Sequence, residues 1–384
     1  MPPPTRNVRL DVIRAFSIAL VFATHSPTCP PGESLFLNAL TIPLVRGGWV
    51  GVDLFFSLSG YLIAGLLFRE YKRTGHIVIW RFLMRRAFKI LPSLWVLVAV
   101  TIAAWLAMGH PVDRNAVLAS LFFYGNYRPP IWDHLWSLAV EEHFYLALPM
   151  ILVLSRPRRS ARSQYPWAWL VPSVVVLVLA SITARLLIID AHPHDLWRIQ
   201  GYTHLRSDAL AIGVLTAYVE TFRPRVFDTL RASERRLIVA LGLTLLLPAF
   251  VWDIKNVPHY AALSLSLYPL AGAFLIIGTR DQVWSSNRLA SWLGFIGSRS
   301  YSLYLWHLPV FALVYTLTRG HGYPWAVNIA MSAGAALVVG LLFAELVEIP
   351  ALSIRNRTFR EAAVAKLSSF KAPEIVVDAR RGRP

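Results

Sequence analysis

Cysteine is nearly absent from this chain of 384 residues, and charged side chains are scarce. The single cysteine, Cys29, excludes an intramolecular disulfide and a cysteine-based metal site. Only 15% of the residues are charged, whereas a soluble domain usually carries about 25%. Hydrophobic residues make up 56% of the chain. This composition is typical of a protein that crosses the membrane several times.

Long apolar segments, by contrast, are abundant. They lie at about residues 10–27, 49–68, 90–109, 135–154, 168–189, 202–221, 237–252, 260–279, 300–318 and 325–349. Each is long enough, or nearly so, to cross the hydrocarbon core as a helix. The sequence therefore predicts an all-α, polytopic membrane protein with about ten transmembrane helices.

Acidic residues are the scarcer charge, with 21 Asp and Glu against 38 Lys and Arg. The basic residues concentrate in alternate loops and in the tail. Residues 69–89 contain seven Lys or Arg, 155–167 contain four, 222–236 contain five, 280–299 contain three, and the residues from 350 contain eight. The positive-inside rule therefore predicts that both termini are cytoplasmic. Contact with anionic lipid explains the basic excess, so we expect a bilayer partner and no nucleic acid.

The domain organisation follows from the same pattern. We expect residues 1–350 to form one transmembrane domain and residues 351–384 to form a basic, mobile cytoplasmic tail. The first apolar segment is interrupted by charge and lacks a clear small-residue cleavage site. It is therefore predicted to be a retained helix rather than a signal peptide.

The first apolar segment carries an arginine and a histidine, Arg14 and His25. Eleven residues of helix bring the two side chains to nearly the same face and separate them by about 16 Å. Each residue alone has an ordinary explanation, as a snorkelling cation or as a helix-end group. Their shared face favours a joint role in transfer across the membrane.

Polar residues in the other predicted spans sort into two layers by depth. The predicted outer layer contains His25, Asp53, Glu141, Glu142, Arg185, Arg206 and Asp208. The predicted inner layer contains Asp11, Arg14, Ser302, Tyr304, His307, Glu345 and Glu348. A general base that activates a hydroxyl needs a titratable group and a partner that orients it. His25 with Asp53, Glu141 or Glu142 meets that chemical requirement, so these four are the candidate catalytic residues.

Three basic residues, Arg85, Arg86 and Lys89, begin the third predicted span. Together they are candidates for binding a phosphorylated ligand. The alternative is that they are ordinary cytoplasmic anchors of the positive-inside rule.

Most of these polar residues lie in seven motifs. In chain order the motifs are LDVIR followed after ten residues by His25, GVDLFFSLSGYLI at 51–63, RRAFKILP at 85–92, HLWSLAVEEHFYLALP at 134–149, LRSDALAIG at 205–213, SYSLYLWHLPV at 300–310 and VEIP at 347–350. Over about residues 8–350, the motifs together resemble the membrane-bound acyltransferase 3 family. Each motif alone is weak, whereas their order and spacing together are specific.

The resemblance implies transfer of an acyl group, commonly acetyl, from acyl-CoA to a hydroxyl of a glycan, a glycolipid or a similar acceptor. It implies a multi-pass protein of the bacterial cytoplasmic membrane and a catalytic His25. We expect no metal. The predicted donor-binding residues are Arg14, Arg85, Arg86 and Lys89. The predicted residues of acceptor binding or structural support are Arg206, Asp208, Tyr304 and His307.

Two positions depart from the family pattern. Lys89 stands where arginine is common and keeps the charge without the planar fork, and His143 stands where glutamine is common. Some relatives carry an added extracytoplasmic hydrolase-like domain, whereas this chain resembles the stand-alone form. An alternative function is a proton-coupled secondary transporter or flippase, in which the same histidine and carboxylates relay protons.

Overall fold

A computed structural model of the protein describes residues 7–27, 35–156, 165–193, 195–282 and 287–368. These residues form helices and connecting turns, and no strand occurs among them. The predicted all-α class is therefore confirmed.

Sixteen α-helices follow one another in the described part of the chain, together with a short 3-10 helix, Thr203–Leu205, and one π-helical turn. The first eight are α1 Val8–His25, α2 Leu35–Gly47, α3 Val50–Thr74, α4 Ile79–Ala107, α5 Arg114–Leu121, α6 Leu135–Leu154, α7 Leu170–Ala191 and α8 Leu196–Gly201. The others are α9 Ser207–Phe222, α10 Arg225–Asp228, α11 Ala232–Val251, α12 Pro258–Gly278, α13 Arg288–Ser298, α14 Ser300–Thr318, α15 Trp325–Phe343 and α16 Ile349–Ser368.

Six helical stretches of the described chain are long and apolar enough to cross a membrane. They are α3, α4, α6, α7, α12 and the stretch Trp325–Phe359, which joins α15 to α16. The other four predicted spans coincide with α1, α9, α11 and α14. The chain is thus a helical membrane protein with several candidate spans, while the number ten and the orientation of the termini stay predictions.

Helix α3 packs closely against α9, and two glycines make that approach possible. A Cβ atom at Gly60 would overlap the carbonyl of Leu210, and one at Gly213 would overlap the carbonyl of Ser57. Small residues let the backbones of membrane helices approach in this way. The close contact places Asp53 of α3 next to Arg206, which immediately precedes α9.

Helices α15 and α16 are joined by a π-helical turn, Ala344–Glu348. Such turns insert an extra residue into a helix and often occur at functional sites. Here the turn directs Glu348 to Lys89, and Glu345 to Arg299. The domain boundary predicted at residue 350 lies just inside α16, and this boundary stays a prediction. Residues 369–384 of the predicted tail lie outside the described residues.

Candidate functional site

Two cavities lie within the helical bundle and meet at shared residues. The first, here called the basic cavity, is lined by Arg14, Arg86, Lys89 and Glu141. The second, here called the histidine cavity, is lined by His25, Asp53, Asp133, His134 and Arg206. Val52 and Tyr304 line both, so the two cavities adjoin at these two side chains.

Three cations from two helices converge on the basic cavity. Arg14 of α1 contacts the carboxylate of Asp11 at 2.7 Å. Lys89 of α4 pairs with Glu348 of the π-helical turn. The guanidinium of Arg86 lies 4.7 Å from the centre of the Tyr145 ring, and among the described residues it has no carboxylate within salt-bridge distance. Arg86 therefore carries the cavity's least compensated positive charge.

Arg85 does not line the basic cavity, although it adjoins Arg86 in the chain. Its guanidinium lies 5.2 Å from the centre of the Phe359 ring of α16. Successive residues of a helix point about 100° apart, so two neighbours rarely reach one cavity. The structure thus groups Arg86 and Lys89 with Arg14, and it places Arg85 between helices α4 and α16.

Glu141 also lines the basic cavity rather than the cavity that contains His25. Its carboxylate accepts hydrogen bonds from Ser59 at 3.0 Å and from Tyr145 at 2.6 Å. The neighbouring Glu142 has a buried carboxylate oxygen with no hydrogen-bond partner among the described residues. The sequence placed both glutamates beside His25 by depth alone, and this geometry does not bring Glu141 there.

The imidazole of His25 has a defined orientation at the end of α1. Its Nδ1 lies 2.9 Å from the carbonyl oxygen of Val21. A carbonyl only accepts hydrogen bonds, so Nδ1 carries the proton of the neutral ring. The other nitrogen, Nε2, is then an acceptor, which is the form that a general base requires.

His25 belongs to a cluster of three histidines from three parts of the chain. The ring centre of His307 lies 4.9 Å from that of His25 and 4.9 Å from that of His134. His307 and His134 are buried, and each has one nitrogen near a backbone carbonyl, those of Tyr304 and Leu305. The sequence interpretation singled out His307 but missed His134, although His134 opens the HLWSLAVEEHFYLALP motif.

Asp53 and Arg206 form a buried ion pair in the wall of the histidine cavity. Behind it, Arg185 contacts Asp208 at 2.5 Å, and Ser266 donates to the other oxygen of Asp208 at 2.5 Å. All four charged residues are at most 1% exposed. The second pair is fully engaged within the protein, which supports a structural role for Asp208.

Tyr304 lies where the two cavities adjoin. Its hydroxyl is 2.6 Å from the hydroxyl of Ser137 and donates to the carbonyl of His134 at 2.8 Å. These bonds hold the phenol ring in place between the basic cavity and the histidine cavity. His143, which stands where the family commonly has glutamine, lies away from this junction. Its Nδ1 is 2.8 Å from the hydroxyl of Thr203.

Comparison of the sequence with known proteins identifies the family to which the chain belongs. A family model described as an acyltransferase domain matches residues 7–345. The chain therefore belongs to the acyltransferase 3 family, which confirms the resemblance that the motifs indicated.

Named relatives are similar over most of the chain. The candidate peptidoglycan O-acetyltransferase YrhL of Bacillus subtilis (strain 168) is 26% identical over 392 residues, which cover 96% of this chain and 58% of YrhL. The O-acetyltransferase OatA of Staphylococcus aureus (strain MRSA252) is 27% identical over 412 residues, covering 96% of this chain and 60% of OatA. The chain thus spans about three fifths of the length of these relatives. No solved structure matches it.

Proposed function

We propose that this protein is an O-acetyltransferase that moves acetyl from cytoplasmic acetyl-CoA to a hydroxyl of a peptidoglycan-type glycan at the outer face of the bacterial inner membrane. Two adjoining cavities, one lined by cations and one by histidines, support this proposal most strongly. Family membership supports group transfer over the transporter alternative. The names of the relatives supply the acetyl group and the class of glycan.

In this proposal the basic cavity binds the donor. Coenzyme A carries several phosphate charges, and arginine binds phosphate through paired N–H groups. Arg86 is the strongest contact because the charges of Arg14 and Lys89 are already compensated by Asp11 and Glu348. With the orientation predicted from loop charge, this cavity faces the cytoplasm, where acyl-CoA is found.

The histidine cavity then binds the acceptor, and the thioester end of the donor reaches it at Tyr304. Nε2 of His25 takes the proton from the acceptor hydroxyl as the hydroxyl oxygen attacks the acetyl carbonyl carbon. The bond between that carbon and sulfur breaks, and the proton passes from His25 to the leaving thiolate. The products are an acetyl ester and free coenzyme A, so the reaction balances without a metal or a redox cofactor.

The test is direct transfer by the purified protein in lipid nanodiscs. Acetyl-CoA labelled in the acetyl group is incubated with chitotetraose, a soluble oligomer of N-acetylglucosamine, and the saccharide is separated from the donor. We expect label in the saccharide as an ester that mild base removes. Release of free coenzyme A without an acetylated saccharide, or no consumption of acetyl-CoA, would contradict the proposed reaction.

A further inference from the structure

The histidine cavity has a set of buried polar atoms without partners. Asp53, His134 and Arg206 are at most 2% exposed and line this cavity. Within the described chain, no hydrogen bond is made by Oδ2 of Asp53, Nδ1 of His134, or Nε and Nη1 of Arg206. A buried polar group without a partner is costly, so such atoms need a specific reason. Four such atoms, on three side chains that line one cavity, point to a polar ligand.

We propose that Asp53, His134 and Arg206 form a saccharide-binding subsite that holds the acceptor sugar beside His25. This inference rests on the proposed function, which brings a glycan to the same cavity, and it assigns the residues that recognise the sugar. Asp53 and His134 offer two acceptor atoms, whereas Arg206 offers two donors. Sugar hydroxyls both donate and accept, so adjacent hydroxyls satisfy both kinds of atom.

Other ligand classes fit this set of atoms less well. A phosphate or carboxylate would pair with Arg206, but it would meet the negative charge of Asp53 and could not donate to His134. A lipid chain would leave all four polar atoms without partners. The atoms therefore favour an uncharged ligand that is rich in hydroxyl groups.

Aromatic residues complete the subsite. Trp49, Trp136 and Trp197 also line the histidine cavity. The rings of Trp136 and Trp197 meet edge to face, with centres 5.9 Å apart, and Trp197 is 42% exposed. The faces of a sugar ring carry C–H groups, which pack against exposed aromatic rings. The cavity thus combines flat apolar walls with hydrogen-bonding groups, as saccharide binding requires.

His134 allows the sharpest test because its two nitrogens have different roles. Its Nε2 lies 3.2 Å from the carbonyl of Leu305, so Nε2 carries the proton and Nδ1 is left as an acceptor. His134→Gln places an amide near Nε2, which keeps a donor for Leu305 but removes the acceptor. His134→Asn places its amide near Nδ1, which keeps the acceptor. A merely structural His134 would tolerate Gln better than Asn, whereas a sugar ligand would tolerate Asn better.

The experiment is calorimetric titration of the purified protein with chitotetraose in the absence of acetyl-CoA. We expect the wild-type chain to bind, His134→Asn to bind nearly as well, and His134→Gln to bind about tenfold more weakly, since one hydrogen bond is lost. His110→Gln, in an exposed loop, is the matched control and should bind like the wild type. Thermal melting by circular dichroism checks that each variant folds.

A second variant guards against misfolding of the His134 variants. Trp197→Ala at the exposed wall should also weaken chitotetraose binding about tenfold, because it removes the stacking surface. The subsite is contradicted if the wild type shows no heat of binding, if folded His134→Gln binds like the wild type, or if Trp197→Ala binds unchanged. Binding by a wild-type chain that transfers no acetyl would instead contradict the proposed function and leave the subsite in place.

Discussion

Replacing His25 tests the proposed mechanism at the atom that performs it. The structure fixes Nδ1 at 2.9 Å from the carbonyl of Val21, so only Nε2 is available to take a proton. His25→Gln carries an uncharged amide toward the position of Nε2, and His25→Asn carries one near Nδ1. Neither amide is a base at neutral pH, so both variants should lose transfer while their helix insertion persists.

The expected size of the effect separates catalysis from packing. Loss of a positioned general base typically lowers the rate by about 10²–10⁴-fold. Loss of the hydrogen bond to Val21 alone would cost about 0.5–1.5 kcal/mol of stability and would spare His25→Asn, whose amide can still donate to that carbonyl. We therefore expect kcat to fall by about 10²–10⁴-fold in both variants.

The assay is transfer of labelled acetyl to chitotetraose with both substrates saturating, so that kcat is measured rather than binding. His110→Gln serves as the control because His110 is an exposed loop residue. Near-wild-type kcat in His25→Gln would refute the general-base role. Loss of kcat in His25→Gln together with full activity in His25→Asn would assign His25 a hydrogen-bonding role instead.

Three further predictions concern the basic cavity and the orientation of the chain. Arg86→Gln should raise the KM for acetyl-CoA more than the KM for the saccharide. Arg85→Gln should leave both KM values unchanged, because Arg85 lies outside the basic cavity. Equal effects of the two variants on the KM for acetyl-CoA would contradict the assignment of Arg86 to donor binding. Arg14→Lys should keep part of the transfer activity, since lysine can still pair with Asp11 although it lacks the planar guanidinium group. Complete loss of activity with normal expression would indicate that the guanidinium makes directed hydrogen bonds. Cys29 lies outside the described residues, and a membrane-impermeant thiol reagent should label it from the extracytoplasmic side; labelling only after the cytoplasmic face is opened would contradict the predicted orientation.

Hydropathy predicted the helical class and the approximate positions of the helices that overlap the ten apolar segments, because lipid requires long apolar stretches. Helices α2, α13 and α16 were not among the predicted spans. It could not predict the rotation of one helix against the next. Glu141 shows the consequence: its depth in α6 placed it beside His25, but packing against α3 directs it to Ser59. The distinction between Arg85 and Arg86 depends on rotation in the same way.

The ion pairs that join distant segments of the chain could not be predicted from the sequence either. Asp53 and Arg206 were each singled out, but no pattern in the chain paired them across 153 residues. His134 was missed for a related reason. It lies just before α6, where a polar residue has an ordinary explanation as a helix-end group, and only the fold brings it to His307.

In the proposed mechanism the acetyl group crosses the membrane from one cavity to the other. Proteoliposomes of sorted orientation, with chitotetraose trapped inside and labelled acetyl-CoA added outside, measure this crossing. When the cytoplasmic face points outward, we predict that labelled O-acetyl saccharide accumulates in the lumen while intact acetyl-CoA stays outside. Acetylation only of saccharide added on the same side as the donor would contradict transfer through the paired cavities.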